Sequence, residues 1–99
     1  MDPAFFGKAY ETVAASQSDQ ALGSTGVSGD VIERLVCTVA TAATSTVSIK
    51  DGAGSSIPVL AANTPIGVYS VVIGARSTGG AWSVTTGAGV SVIAVGQFR

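Results

Sequence analysis

The sequence predicts an all-β domain of the sandwich or barrel type, and three observations carry this prediction. Along most of the chain, apolar and polar residues alternate with the period of two that places successive side chains on opposite faces of a strand. The alternating stretches recur roughly every 10–12 residues, a spacing typical of sandwiches and barrels. Turns rich in glycine separate them, and glycine supplies 13 of the 99 residues, which is roughly twice its average share.

The first strand of the predicted domain follows Asp30 in the stretch DVIERLVCTVA. Alternation places Leu35, Cys37 and Val39 on one face of this strand. A helix is the alternative, because Asp30 and Glu33 have the spacing of a helix cap and its partner three residues later. The many β-branched residues favour the strand. Cys37, inside this apolar run, is expected to be a small core residue.

Two shorter strands follow. In STVSIKD, Val47 and Ile49 face inward while polar residues face outward. The next stretch, DGAGSS, has the glycines of a turn and leads into the short strand SIPVL. Pro58 cannot donate a backbone hydrogen bond to a neighbouring strand, so SIPVL is predicted to lie at a sheet edge.

The remaining strands lie in the C-terminal third. After the loop AANTP, the stretch GVYSVVIG places Tyr69, Val71 and Ile73 on one face. In AWSVTT, alternation places Trp82 and Val84 inward. The residues GAGV are then predicted to turn a tight hairpin into the last strand, SVIAVGQF.

Two of these strands are apolar on both faces, and the whole chain is poor in charge. In VYSVVI and VSVIAV, valine and alanine occupy outward positions as well as inward ones. A sheet in a two-layer domain needs only one apolar face. Charged residues make up 11% of the chain, against about 25% in typical domains, and permanent interfaces are depleted in charge. We therefore expect copies of this chain, or a larger protein surface, to cover part of the domain.

The N-terminal segment, residues 1–29, is predicted to be an extended arm or a first-strand segment. Its later part, SQSDQALGSTGVSG, is loop-like, and only Tyr10–Ala15 has the pattern of a strand. The core is expected beyond Asp30, in a β-domain of residues 30–99. The start of the sequence lacks the positive charge and the apolar stretch of a signal peptide.

Three aromatic residues in this segment are the candidate partner-binding residues. They are Phe5, Phe6 and Tyr10. Exposed aromatic side chains usually find apolar surface to pack against. We therefore expect them to contact a neighbouring copy or a larger assembly.

The side-chain inventory predicts a protein that is not an enzyme. The chain has no histidine, so histidine-based triads and histidine metal sites are excluded. Cys37 therefore has no histidine to activate it as a nucleophile. The nearest pair of carboxylates, Asp30 and Glu33, falls on opposite faces of a strand, and a surface ion pair with Arg34 is the simpler interpretation. We predict no catalytic, cofactor-binding or metal-binding residue.

Charge and hydropathy patterning also argue against two classes of partner. The five lysine and arginine residues are scattered, and the net charge is −1. Nucleic-acid binding through phosphates needs clustered cations. The long uncharged stretches contain proline, glycine and many hydroxyl residues, which are not the composition of a membrane-spanning helix. We expect neither nucleic acid nor membrane as a partner.

Two local features allow a functional interpretation beside a structural one. The residues DGAG at 51–54 have an acidic residue and glycines, as calcium and phosphate loops do, but they lack the further ligands of the first and the lysine of the second. A hairpin turn is the favoured interpretation. Trp82 and Tyr69 could form a platform on which a sugar stacks, although alternation favours a core position for both.

Three stretches resemble small structural proteins of tailed bacteriophages, in particular capsid decoration, or cement, proteins. They are SIKDGAG (48–54), GVYSVVIGARSTGGAW (67–82) and VTTGAGVSVIAVG (84–96). The resemblance covers roughly residues 30–98. It implies an antiparallel β-sandwich or jelly-roll-like fold, often trimeric, without catalytic activity. With the alternation described above, the expected fold has about six to eight short strands and an extended N-terminal arm.

The resemblance implies a virion protein that decorates and cements a capsid as a symmetric oligomer, with a trimer favoured. Its partner would be the major capsid protein or another virion protein, and it would be assembled into the virion in the cytoplasm of the bacterial host. Similar chains also serve as head-fibre, collar or tail components, which is the first alternative. A carbohydrate-binding module using Trp82 and Tyr69 is the second.

Overall fold

The computed structural model describes residues 9–23, 28–41 and 45–98, and within them the chain has eight β-strands and no helix. The strands form two antiparallel sheets of four strands each. Sheet A has the order β1-β8-β3-β6, and sheet B has the order β2-β7-β4-β5. The predicted all-β class is therefore confirmed for the described residues. The strands are Ala9–Val13 (β1), Gln20–Ala21 (β2), Val31–Val39 (β3), Val47–Asp51 (β4), Ile57–Leu60 (β5), Gly67–Arg76 (β6), Trp82–Thr85 (β7) and Val90–Gln97 (β8).

Both sheets turn apolar side chains toward one hydrophobic cluster, which makes the molecule sandwich-like. Burial of this apolar surface is the dominant favourable contribution to folding. The long strand β8 contributes alternate residues, as the period of two requires, and β3 does so from Leu35 onward, after a register shift between Ile32 and Arg34. The predicted inward-facing residues of β3, β4 and β7 all belong to the cluster. Its buried members are Val13, Leu22, Ile32, Leu35, Cys37, Val39, Val47, Ile49, Trp82, Val84, Val90, Val92 and Ala94.

The stretch after Asp30 forms β3, so the strand is confirmed over the helix. β3 lies inside sheet A, between β8 and β6, where β-branched side chains pack against neighbours on both sides. Asp30 itself is buried, so the expectation of a surface ion pair is wrong for this residue. Its carbonyl oxygen accepts hydrogen bonds from Ser77 N and from Trp82 Nε1, which hold it against the core.

The described part of the N-terminal segment belongs to both sheets. β1 pairs with β8 at one edge of sheet A, and β2 pairs with β7 at one edge of sheet B. Val13 and Leu22 are fully buried, so the expectation that the core lies entirely beyond Asp30 is wrong. These two residues stand among polar and small neighbours, and strand pairing rather than local pattern brings them inward. Phe5 and Phe6 lie outside the described residues.

The link between β7 and β8 crosses from one sheet to the other, so the predicted tight hairpin is wrong. β7 pairs with β2 and β4, whereas β8 pairs with β1 and β3. Hydrogen bonds tie the link to the residues after β1. Thr86 N donates to Gln17 O (2.9 Å), and Thr86 Oγ1 donates to Ala14 O (2.6 Å). Glycine-rich residues specify a turn, but they do not specify which sheet the next strand joins.

β4 and β5 form a hairpin whose turn is DGAG, which confirms the structural interpretation of residues 51–54. Gly52 has a φ of +57°, a left-handed conformation that favours glycine. A side chain at Gly52 would also collide with the backbone of Gly79. β5 is the outermost strand of sheet B, so the edge position predicted from Pro58 is confirmed.

Candidate interaction surface

The outer face of sheet A, the side turned away from the core, carries four of the six large hydrophobic side chains that are exposed among the described residues, namely Tyr10, Val68, Val72 and Ile93; the other two are Ile57 in β5 and Ile66 in a loop. The cross-strand register arranges this face in rows that run across β1, β8, β3 and β6. One row joins the partners Tyr10, Val95, Arg34 and Val72. In the central rows the charged residue is Arg34, and Arg76 adds a second charge at one end of the face, in the row that it forms with Val31 and Gln97. The central part of the face consists of Tyr10, Thr12, Arg34, Val36, Thr38, Val68, Ser70, Val72, Ser91, Ile93 and Val95.

Several of these apolar side chains are open to solvent. In β6, Val72 is 76% exposed and Val68 is 68% exposed. Ile93 in the neighbouring part of the face is 39% exposed, and Ile66, just before β6, is 69% exposed. Contiguous exposed apolar surface of this kind marks an interaction site in a folded protein. The outer face of sheet A is therefore the candidate interaction surface.

The predicted partner-binding residues relate to this face in different ways. Tyr10 lies on it, at the β1 edge, where it is paired with Val95 and 71% exposed. Phe5 and Phe6 lie outside the described residues. The doubly apolar strands that the sequence indicated are β6 and β8, and both contribute to the face. Ile66 was missed, because a single apolar residue in a loop has no periodicity to mark it.

The outer face of sheet B is polar and is engaged in contacts within the chain. Ser48 pairs with Thr85, and Lys50 pairs with Ser83. Lys50 Nζ lies 3.5 Å from a carboxylate oxygen of Asp19, and Thr85 Oγ1 donates to the other oxygen (3.1 Å). An exposed ion pair contributes little stability. These groups make the outer face of sheet B polar, whereas the outer face of sheet A is mostly apolar.

Asp51 holds the hairpin turn of sheet B against the loop after β6. Its carboxylate accepts hydrogen bonds from Thr78 N, from Thr78 Oγ1 (2.9 Å) and from Gly79 N (2.9 Å). The backbone N–H groups of Gly79 and Thr78 lower the pKa of Asp51, because they stabilise the ionised carboxylate. This carboxylate therefore serves to fix a loop. Within residues 9–23, 28–41 and 45–98, no cluster of three or more acidic or cysteine side chains has the arrangement of a metal site.

Trp82 is a core residue, as alternation predicted. It is 3% exposed, and its Nε1 donates to the carbonyl oxygen of Asp30 (3.0 Å). Tyr69 packs against the core from sheet A, and its hydroxyl donates to Pro65 O (2.8 Å). The two aromatic rings therefore do not form an exposed platform on which a sugar could stack.

Cys37 is buried in β3. Burial raises the pKa of its thiol to about 11, because the thiolate is poorly solvated in the core. The thiol therefore stays protonated at neutral pH and packs as a small apolar group, as the sequence predicted.

Comparison of the chain with protein-family models, with curated proteins and with solved structures gave no significant match. In the part of the chain that the structure describes, no helix is long and apolar enough to cross a membrane.

Proposed function

We propose that this chain is a non-enzymatic structural protein of a tailed-phage virion, which decorates and cements the capsid as a symmetric oligomer. The sandwich-like domain is the β-sandwich or jelly-roll-like module that the resemblance implies, with a trimer as its favoured assembly. One observation carries the proposal beyond resemblance. The central part of the outer face of sheet A is mostly apolar and carries one charge, Arg34, and depletion of charge is a feature of the buried centre of a protein interface.

Burial of this face against a partner accounts for its exposed apolar side chains, which a protein that stays monomeric in water does not need. Val68 and Val72 are more than two-thirds exposed, and each would gain about 1.5–3 kcal/mol if it were fully buried against a partner. Ile93 and Val36 extend the same surface across β8 and β3. A repeated assembly supplies a partner surface at every copy, so modest contacts add up through multivalency.

One of the three aromatic residues near the N terminus falls within the described residues. Tyr10 lies on the outer face of sheet A at the β1 edge. Phe5 precedes it by five residues, which span at most about 18 Å when fully extended. This length of chain is compatible with contacts of Phe5 and Phe6 to this face or to a capsid surface that it contacts. We propose that all three aromatics contact the major capsid protein or another virion protein.

Imaging of particles that carry a labelled copy of the chain tests the proposal directly. Phage particles assembled with an epitope-tagged chain are expected to bind labelled antibody over the whole head, in a pattern that follows the capsid lattice. Label confined to one vertex, to a fibre or to the tail would support the head-fibre, collar or tail alternative instead. Purified particles without any label would overturn the assignment to the virion.

A further inference from the structure

The two sheets have four edges, and three of them are protected against pairing with another chain. β5 is four residues long and contains Pro58. β2 has only two residues. At β1, Gln20 Nε2 donates to the carbonyl oxygen of Thr12 (3.2 Å), and Glu11 places a carboxylate beside the strand. Short length, proline and charge are the devices by which proteins prevent edge-to-edge association.

The fourth edge, β6, has none of these devices over most of its length. It runs from Gly67 to Arg76 and is the outermost strand of sheet A. Its first seven residues, GVYSVVI, contain no charge and no proline. In the described part of the chain, no backbone hydrogen bond outside the ladder with β3 involves β6. Gly74, with a φ of +66°, lies beside the register shift in that ladder and ends the regular stretch.

We propose that Gly67–Ile73 is a self-association edge, through which two copies of the chain pair antiparallel and extend sheet A across a two-fold axis. Alternate residues of an edge strand direct their N–H and C=O groups outward, so the occupant must itself be a strand. The β1 edge of another copy does not suit this role, because Gln20 occupies the carbonyl oxygen of Thr12. β6 of a second copy does, since the same edge on both subunits makes a closed, isologous contact.

One register makes the pairing self-complementary. With Ser70 opposite Ser70 of the second copy, Val68 lies opposite Val72 on the exposed face, and Val72 lies opposite Val68. β-Branched pairs of this kind stabilise neighbouring strands. The only charge on the strand, Arg76, lies at its end, so the two copies place their arginines at opposite ends of the contact. Residues directly opposite each other have Cβ atoms roughly 4.5–5.5 Å apart.

This inference rests on the proposed function only for the expectation that the chain assembles with copies of itself. The edge and the register come from the fold. A two-fold contact produces pairs, whereas the trimer implied by the resemblance needs a different, head-to-tail contact. The number of copies in the oligomer therefore distinguishes the two-fold β6 pairing from the trimer that the resemblance implies.

Matched serine substitutions on the outer face of sheet A test the edge. Ser70→Lys places like charges directly opposite each other at the two-fold axis, and it is expected to weaken dimerisation at least tenfold in analytical ultracentrifugation. Ser91→Lys is the control, because Ser91 is also exposed on this face but lies in β8, inside the sheet. It is expected to leave the dimer in place. A dimer that survives Ser70→Lys but dissociates with Ser91→Lys would overturn the edge in favour of face-to-face contact.

Cysteine cross-linking tests the register. Under mild oxidation, Ser70→Cys is expected to give a disulfide-linked dimer, whereas Ser91→Cys stays monomeric in denaturing electrophoresis. Cys37 is buried in the core, so its thiol is not expected to compete for oxidation. An oligomeric wild-type chain with no cross-link at Ser70→Cys would overturn the pairing while leaving the proposed oligomer intact. A monomeric wild-type chain would overturn both.

A deletion of residues 1–8 separates a second copy of β6 from an arm that adds to the edge as a strand. The Ser70→Cys cross-link is expected to form equally well in the shortened chain. An arm that occupied the edge would exclude the second β6 in the full chain, so a cross-link that forms only after the deletion would assign the edge to the arm and overturn the proposed β6 pairing.

Discussion

The outer faces of the two sheets differ, although their inner faces are alike. Both sheets send valine, leucine, isoleucine or tryptophan into one core. On the outside, sheet B presents Ser48, Lys50 and Thr85, with an ion pair to Asp19. Sheet A presents Val68, Val72, Ile93 and Tyr10 at equivalent positions of its strands. Only the outer face of sheet A is poorly suited to contact with water.

The charge content of the whole chain does not reveal that charged residues are distributed unequally between the two outer faces. A charge content of 11% could be spread evenly. Instead, the central rows of the outer face of sheet A carry a single charge, Arg34, and a second, Arg76, lies at one end of the face. Surfaces that remain in water keep charged and polar groups. We therefore interpret sheet B as the solvent side of the domain and sheet A as the side that protein covers.

The largest expected effect tests whether β1 belongs to the shared core. Deleting residues 1–20 removes β1 together with Val13, which is fully buried, so the shortened chain is expected not to fold. Deleting residues 1–8 leaves β1 intact, and we expect a folded chain that attaches more weakly to the capsid, because Phe5 and Phe6 are gone. Circular dichroism and binding to particles measure the two outcomes. If the chain without residues 1–20 still folds cooperatively, β1 is not an essential part of the hydrophobic core.

The next largest effect concerns the inner face alone. Trp82→Ala is expected to lower the free energy of unfolding by about 3–5 kcal/mol, because it leaves a large cavity between the sheets. Trp82→Phe is the matched control, since it keeps much of the volume but loses the hydrogen bond to Asp30, which contributes about 0.5–1.5 kcal/mol. Chemical denaturation at a fixed protein concentration measures both. Equal stability of Trp82→Ala and the wild-type chain would contradict the core position of Trp82.

A paired substitution tests the outer faces against each other. Ile93→Lys on sheet A is expected to weaken attachment to the capsid at least tenfold, which corresponds to about 1.4 kcal/mol, and to leave the β6-paired dimer intact. Ser48→Lys on sheet B introduces the same side chain and is expected to change neither. Sedimentation and particle binding measure the pair. If Ile93→Lys and Ser48→Lys weaken attachment equally, the outer face of sheet A is not the interaction surface.

The smallest expected effect concerns Asp51, whose carboxylate holds the hairpin turn of sheet B against the loop after β6. The pKa of Asp51 is lowered in the folded chain, so the ionised carboxylate stabilises the fold at pH values above its unfolded pKa of about 3.9. This stabilisation is lost as the pH falls through the folded pKa. Asp51→Asn is expected to be less stable than wild type at pH 7 and to lack this pH dependence. Thermal unfolding between pH 7 and pH 2 measures the difference, and parallel curves would contradict it.

Local alternation predicted the strands from β3 onward and most of the core, because most inward residues there belong to a regular pattern. Ile32 is buried outside that pattern, because the register of β3 shifts between Ile32 and Arg34. Alternation did not predict that β8 leaves the sheet of β7, since pairing of strands distant in sequence depends on the whole fold. Val13 and Leu22 were missed for the same reason. For the candidate surface, the doubly apolar strands β6 and β8 were visible in the sequence. The neighbouring exposed side chain of Ile66 was not, because it lies in a loop.

The mass of the wild-type chain in solution tests the central claim most directly, namely that sheet A is the side through which this chain assembles with other copies of itself. Light scattering of the purified 9.7 kDa chain at micromolar concentration is expected to give a discrete multiple of that mass. The β6 pairing specifies an even multiple. A soluble monomer over the whole concentration range would contradict the claim.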